Sequence, residues 1–306
     1  IGGLRYQNSE RSINRDNLFD GNVNESSDWD DWLPKVGVTY SLSETDTLYA
    51  NVAKGFQSGG FNFYGGHRDL VDYDPAESWN YEIGWSSSWN DGRVHTRVAA
   101  FYSDFEDYQV YRANPINFME AYMVNAEEAN SYGLELEAEA QVNETLTLSA
   151  AVGLVNAEFD VYTDPALRQH PGPDPRLTAA LKNLAPYYEF SGNDISFVPE
   201  YTANLAAHIN LPWNLSMQWE VQGIGDYWLN EDNTEEQGAY ALVNGRIGYK
   251  RDNWELFAYW RNLADEDYSN NALDFRYIND VGSQAGTILR VPGRPRTVGV
   301  GLSASF

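Results

Sequence analysis

The sequence predicts an all-β fold: an antiparallel sheet of about twelve strands, built as the wall of a transmembrane β-barrel. Three observations point there. Apolar residues recur at every second position, the period of a strand with one apolar face. The connections alternate between short and long, which suits a barrel with short turns at one rim and long loops at the other. The face opposite the apolar one is polar and charged along most of the strands.

Taken in order, Ile1 to Arg11 opens as a short strand, and 12–30 reads as a polar loop. Pro34, Val36, Val38 and Tyr40 then alternate with Lys35, Gly37 and Thr39. After the turn "SLSETDT", Leu48, Ala50, Val52, Lys54 and Phe56 share a face. A long connection over 57–76, rich in glycine and aromatic residues, leads to "WNYEIGWSSSW". The following "NDG" is a strong hairpin signal, from which "RVHTRVAAFYSDFEDYQVYR" returns. The clearest strand comes after the loop 112–128. Tyr132, Leu134, Leu136, Ala138, Ala140 and Val142 form its apolar face, opposite Ser131, Gly133, Glu135, Glu137, Glu139 and Gln141.

Leu146 to Leu154 returns, and 160–196 is a long segment rich in Pro, Asp and Gly. Tyr201 to Ile209, Leu215 to Val221, Ala241 to Tyr249 and Trp254 to Trp260 follow, separated by the turns 211–214 and 250–253 and the loop 231–238. The loop 269–287 precedes the final strand. There Val298, Val300, Leu302, Ala304 and Phe306 oppose Thr297, Gly299, Gly301, Ser303 and Ser305, residues so small that something other than a thick soluble core is expected behind them.

The lining separates the possible settings of such a sheet. Glu135, Glu137, Glu139, Gln141, Asn204, His208, Asn210, Gln218, Glu220, Asn244 and Arg246 would each be costly in a dry core and cost little against a wet lumen. Tyr40, Trp79, Trp85, Trp89, Trp213, Trp254 and Trp260 lie near strand ends, as in the aromatic girdles of membrane proteins.

Composition excludes several classes. The 306 residues carry 20 Lys and Arg against 45 Asp and Glu, a formal net charge of −25 that argues against a nucleic-acid partner. Mean hydropathy is −0.53 and no run of 18 apolar residues occurs, so no helix is expected to cross a membrane; a barrel strand needs only alternate apolar residues. Cysteine is absent. The start "IGGLRYQNSE" has no initiator Met and no leader-like apolar segment, and reads as the inside of a longer polypeptide.

With the strands in place, the chain resembles the C-terminal half of the barrel of a TonB-dependent outer-membrane receptor, siderophore receptors among them. The resemblance rests on "LYANVAKGFQSGGFN" (48–62), "NYEIGWSSSW" (80–89), "FYSDFEDYQVYR" (101–112), "NSYGLELEAEA" (130–140), "RNLADEDY" (261–268) and "GRPRTVGVGLSASF" (293–306). Their order spans nearly the whole chain, which is taken as one unit over 1–306. The resemblance implies a barrel of about 22 strands around an N-terminal plug, with plug, energy-coupling box and the remaining strands outside this chain. It further implies energised uptake of a nutrient at the cell outer membrane, ferric siderophores first. Its partners would be the plug, the TonB complex, the barrel assembly machinery and lipopolysaccharide. Phe306 resembles the terminal aromatic read by that machinery. Uptake of a carbohydrate or vitamin, a structural or adhesion barrel, and a soluble β-rich glycan-active protein stay open as alternatives.

No signature of catalysis stands out. "GVGLSAS" lacks the Lys-Ser/Thr end of a phosphate loop, and the four histidines, His67, His95, His170 and His208, have no metal-pair spacing. No cofactor is expected beyond calcium held by an acidic loop run, either Asp28, Asp30 and Asp31 or Glu231, Asp232, Glu235 and Glu236. Ligand contacts are expected from the loop "GGFNFYGGHRDLVDY". Its glycines allow close approach, Phe63, Tyr64, His67 and Tyr73 can stack, and Arg68 can fork onto carboxylate or phenolate oxygens. Arg168 and His170 on the 160–196 segment are candidates for the same role.

Overall fold

The computed structural model describes residues 1–17, 21–63, 71–113, 121–163, 189–274 and 288–305. Every regular element among them is a strand, and eighteen are numbered here in chain order. Twelve form one antiparallel sheet in which each strand pairs with its neighbours in sequence. These are β1 (Gly2–Asn17), β2 (Gly21–Ser41), β3 (Asp46–Gln57), β6 (Ala76–Trp89), β7 (Val94–Ala113), β8 (Ala121–Gln141), β9 (Leu146–Val161), β10 (Tyr201–Leu211), β11 (Leu215–Ile224), β14 (Tyr240–Arg251), β15 (Trp254–Arg261) and β18 (Thr297–Ala304). Three two-stranded ribbons sit in the long connections: β4 (Gly60–Phe61) with β5 (Asp72–Tyr73), β12 (Tyr227–Trp228) with β13 (Glu236–Gln237), and β16 (Ser269–Asp274) with β17 (Ile288–Pro292). The sheet is open, with β1 and β18 at its edges.

Register places the apolar faces side by side. One row runs Val38, Ala50, Ile83, Ala100, Leu134 and Leu154 across six strands without a polar residue. Nothing among the described residues covers this face: Val300 is 81% exposed, and Leu302 and Val298 each 69%. A soluble sheet would bury such a face against a second layer; here lipid is the second layer, and the continuous hydrogen-bonded ladder satisfies the backbone within it. Aromatics bound the apolar band. At the short-turn rim Trp85 and Trp89 meet edge to face at 5.9 Å and Tyr249 meets Trp254 at 5.6 Å, with Tyr40 and Trp213 exposed nearby. Further along the strands Tyr6 meets Trp32, Tyr81 meets Tyr102, and Trp219 meets Trp260 at 4.8 Å.

The small residues of the last strand have a physical partner. A side chain at Gly301 would run into the Phe257 ring, and one at Gly299 into Tyr259. Tyr49 lies over Gly84 and Phe101 over Gly133 in the same way. Rings laid on glycines fill the inner wall that the sequence left bare.

The expected loops need correction. Residues 12–17 and 21–30, expected to be loop, are strand: β1 and β2 stay in register from Gly2 opposite Val36 to Asn17 opposite Gly21. Their Asn, Asp and Ser side chains disguise them because a hairpin extending beyond the apolar band has water on its outer side and no need of alternating hydrophobes. Likewise β7 runs to Ala113 and β8 starts at Ala121, inside the expected loop 112–128. These extensions carry the one sizeable dry core among the described residues. Tyr122, Phe159, Tyr162 and Phe190 are almost wholly buried there, with Val110, Val124, Ala126 and Ala129 around them. Stacked rings link it, Phe159 to Tyr162 at 4.9 Å and Tyr162 to Phe190 at 5.0 Å.

Candidate functional site

Alternation puts a continuous polar wall on the inner side of the sheet. Arg97 pairs across the ladder with Glu137, and its guanidinium donates to the Tyr49 hydroxyl at 2.8 Å. That hydroxyl in turn donates to Glu82. Further round, Glu220 accepts from the amides of Asn204 at 2.7 Å and Gln222 at 3.0 Å, and its other oxygen accepts from Asn244 at 3.3 Å. Arg246 lies 4.1 Å from the Phe257 ring centre and pairs with Glu255 at 3.0 Å. The expected lining residues thus do share one face. Glu82, Arg97, Glu220 and Arg246 are tied to partners across strands; exposed pairs of this kind add little stability and chiefly fix geometry.

At the long-connection end, side-chain amides bolt the 57–74 connection to the β7–β8 hairpin. Asn62 accepts from the Met123 amide at 2.6 Å and donates to its carbonyl at 2.9 Å. Asn125 closes the same two-bonded ring on Asp74. From the other side, buried Arg15 donates to the carbonyls of Asn62 and Phe63, and Arg11 to Ser58. Close approach needs the glycines here: a side chain at Gly59 would strike Trp29, and one at Gly60 the Tyr73 ring. Phe63, fixed through its backbone, is 65% exposed. Tyr73 is half-buried with its ring on Gly60, so it packs the connection as well as flanking the mouth.

Of the expected ligand-contacting residues, Phe63 and Tyr73 therefore lie on one anchored connection. Tyr64, His67, Arg68, Arg168 and His170 lie outside the described residues, as does Phe306. Arg11, Arg15, Asn62 and Asn125 also build this end, and no pattern in the sequence marks them.

The acidic runs do not converge. Asp28 and Asp30 share one face of β2 and Asp31 the other, by strand parity. Asp31 pairs with Lys54 at 2.7 Å, and Lys54 also reaches Glu77 at 2.6 Å. Glu235 pairs with Arg290 at 2.9 Å and Glu231 with Arg112 at 3.8 Å. Among the described residues no group of three carboxylates or imidazoles is placed to hold a metal ion.

The profile described as "TonB dependent receptor-like, beta-barrel" matches residues 1–263. The chain belongs to this family. Over its full length it is 24% identical to the pesticin receptor of Yersinia pestis, of which it covers 41%. Over about half its length it is 30% identical to the metal-pseudopaline receptor CntO of Pseudomonas aeruginosa. The same fold occurs in the ferric yersiniabactin uptake receptor FyuA from Yersinia pestis, with a TM-score of 0.73 at 20% identity, where this chain matches 42% of the structure. It occurs also in the ferric citrate transporter FecA, with a TM-score of 0.67 at 18% identity. The chain thus spans about two-fifths of the pesticin receptor and of these two structures, and 21% of CntO. Membership makes this TonB-dependent receptor barrel an outer-membrane protein and a receptor rather than an enzyme.

Proposed function

We propose that the chain supplies the C-terminal part of the barrel of an energy-coupled receptor, and that the whole protein takes up a ferric siderophore. The observation that carries this reading is the polar inner wall within a family of receptor barrels, where Tyr49, Glu82, Arg97, Glu137 and Glu220 face a wet interior. Relatives and structural neighbours named for ferric yersiniabactin, ferric citrate and a metal–pseudopaline complex favour a metal chelate over a sugar or vitamin. In this reading the plug and the contact with the TonB complex come from the rest of the polypeptide. The 57–74 connection and the 160–196 segment, with Phe63, Tyr64, His67, Arg68, Tyr73, Arg168 and His170, hold the ligand at the outer mouth. Lipopolysaccharide surrounds the outer rim, calcium cross-bridging is its simplest mode of attachment, and Phe306 serves assembly.

The test is uptake of radiolabelled iron chelates by iron-starved cells expressing the full receptor, with and without a proton-gradient uncoupler. Uptake abolished by the uncoupler supports the reading. Undiminished uptake would falsify energy coupling, and uptake confined to a sugar or vitamin would remove the iron assignment.

A further inference from the structure

Where β11, β14 and β15 approach their long-connection ends, beside the residues that lead into β18, the inner wall holds a recess of about 880 Å³. That volume suits a small-molecule ligand. Its charge runs against that of the chain. Three arginines, Arg246, Arg261 and Arg294, line it with a single carboxylate, Glu220, in a protein of formal net charge −25.

Two of those four charges are already engaged. Arg246 has Glu255, and Glu220 is saturated by three amides. Among the described residues the other two arginines have no carboxylate partner. Arg261 lies 5.8 Å from the Tyr259 ring centre, and among those residues neither its guanidinium nor that of Arg294 makes an ion pair or hydrogen bond. The contrast with Arg296, paired with Asp265 at 3.5 Å a short way along the chain, shows that carboxylates are at hand nearby. The two unneutralised cations thus stand at one recess.

We propose that this recess is an anion station on the inner wall. Arg261 and Arg294 together take the carboxylate or phenolate oxygens of a small ligand beside the Tyr259 ring, while Tyr268, stacked on Tyr240 at 4.6 Å, packs the edge of the recess. The station lies at the end of β15 and just ahead of β18, apart from the 57–74 connection. It rests on the uptake reading only for the identity of the ligand, an anionic metal chelate in transit.

The experiment uses crystals of the full-length receptor soaked in sodium selenate, read by anomalous scattering at selenium. Selenate is expected between the two guanidiniums. With Arg261→Gln and Arg294→Gln together, about tenfold more selenate is needed for the same occupancy, as loss of charge-assisted hydrogen bonds implies. The paired lysine substitutions keep the charge but lose the fork, and fall between wild type and the glutamine variant; they carry the test if the glutamine variant does not fold. A carboxylate of the polypeptide seated on the guanidiniums overturns the proposal, as does selenate that binds the substituted protein equally well. A receptor that takes up no chelate yet holds selenate here would sink the uptake reading and leave the station standing.

Discussion

The apolar band and the long-connection end belong to the same strands, yet they are stabilised in opposite ways. In the band the sheet is one layer thick. Val38, Ile83, Leu134, Val300 and their neighbours face outward uncovered, so their burial is supplied by lipid. Beyond it the same strands carry their own core, with Tyr122, Phe159, Tyr162 and Phe190 packed out of water. A barrel wall therefore has a part whose stability depends on its surroundings and a part that brings its own. The long connections grow from the second part, and they can be held rigid without membrane support.

The largest expected effect tests that separation. Phe159→Ala should cost about 3–5 kcal/mol locally, the usual range for emptying an aromatic site. Hydrogen exchange should rise across 189–200 and the top of β9 while the band stays protected. Equal loss of protection in both regions would mean that they fold as one unit.

Next in size is a charge on the lipid side. Leu136→Arg should cost about 2–4 kcal/mol at mid-bilayer, whereas Glu137→Gln, one residue on and facing the lumen, should cost under about 1 kcal/mol. Heat-modifiable gel migration and outer-membrane abundance report both; similar behaviour at the two positions would refute the alternation.

A smaller effect comes from the inner wall. Gly301→Ala forces the Phe257 ring aside and should cost about 1–3 kcal/mol, as overpacking does. Pairing it with Phe257→Ala should recover part of that loss in a denaturation assay, and absence of recovery would show that the ring is not the obstacle.

The smallest concerns Asp107, above the band, which holds a left-handed backbone at φ 54°. Burial pushes its carboxyl above the usual range, and Asp74 and Glu106 add to the shift. The folded state therefore binds the proton more tightly than the unfolded one. The penalty is present above the folded pKa and is relieved as pH falls through it. Asp107→Asn removes the charge and suits the left-handed backbone, so it should stabilise by no more than about 0.5 kcal/mol at neutral pH. The gain over wild type should vanish on acidification; a gain independent of pH would assign it to the backbone alone.

How legible all this was in the sequence follows the same division. Within the band each strand has two solvents, lipid and lumen, and period-two alternation records both, so Leu134 against Glu135 or Val300 against Gly301 could be read directly. Above the band both sides meet water or loops, the alternation stops, and β1 and β2 were expected to be loop over 12–30. The dry core was invisible because its members come from four separated stretches, and nothing local marks Tyr162 or Phe190 as partners. The candidate site was half legible. Phe63 and Tyr73 stood out by composition, whereas Arg15 and Asn62, which hold that connection through its backbone, make bonds that no side-chain pattern announces.

The rings laid on glycines along the inner wall have a consequence for anything that moves past them. Phe101, Phe257 and Tyr259 lie down over Gly133, Gly301 and Gly299 instead of projecting into the lumen, and the Tyr49 hydroxyl is occupied by Glu82 and Arg97. Such a surface is smooth on the scale of a small molecule. In the uptake reading, a flat solute passing these rings would meet weak, directionless attraction from one ring face to the next. Any pause in transit would then fall at the charged groups that stand between the rings.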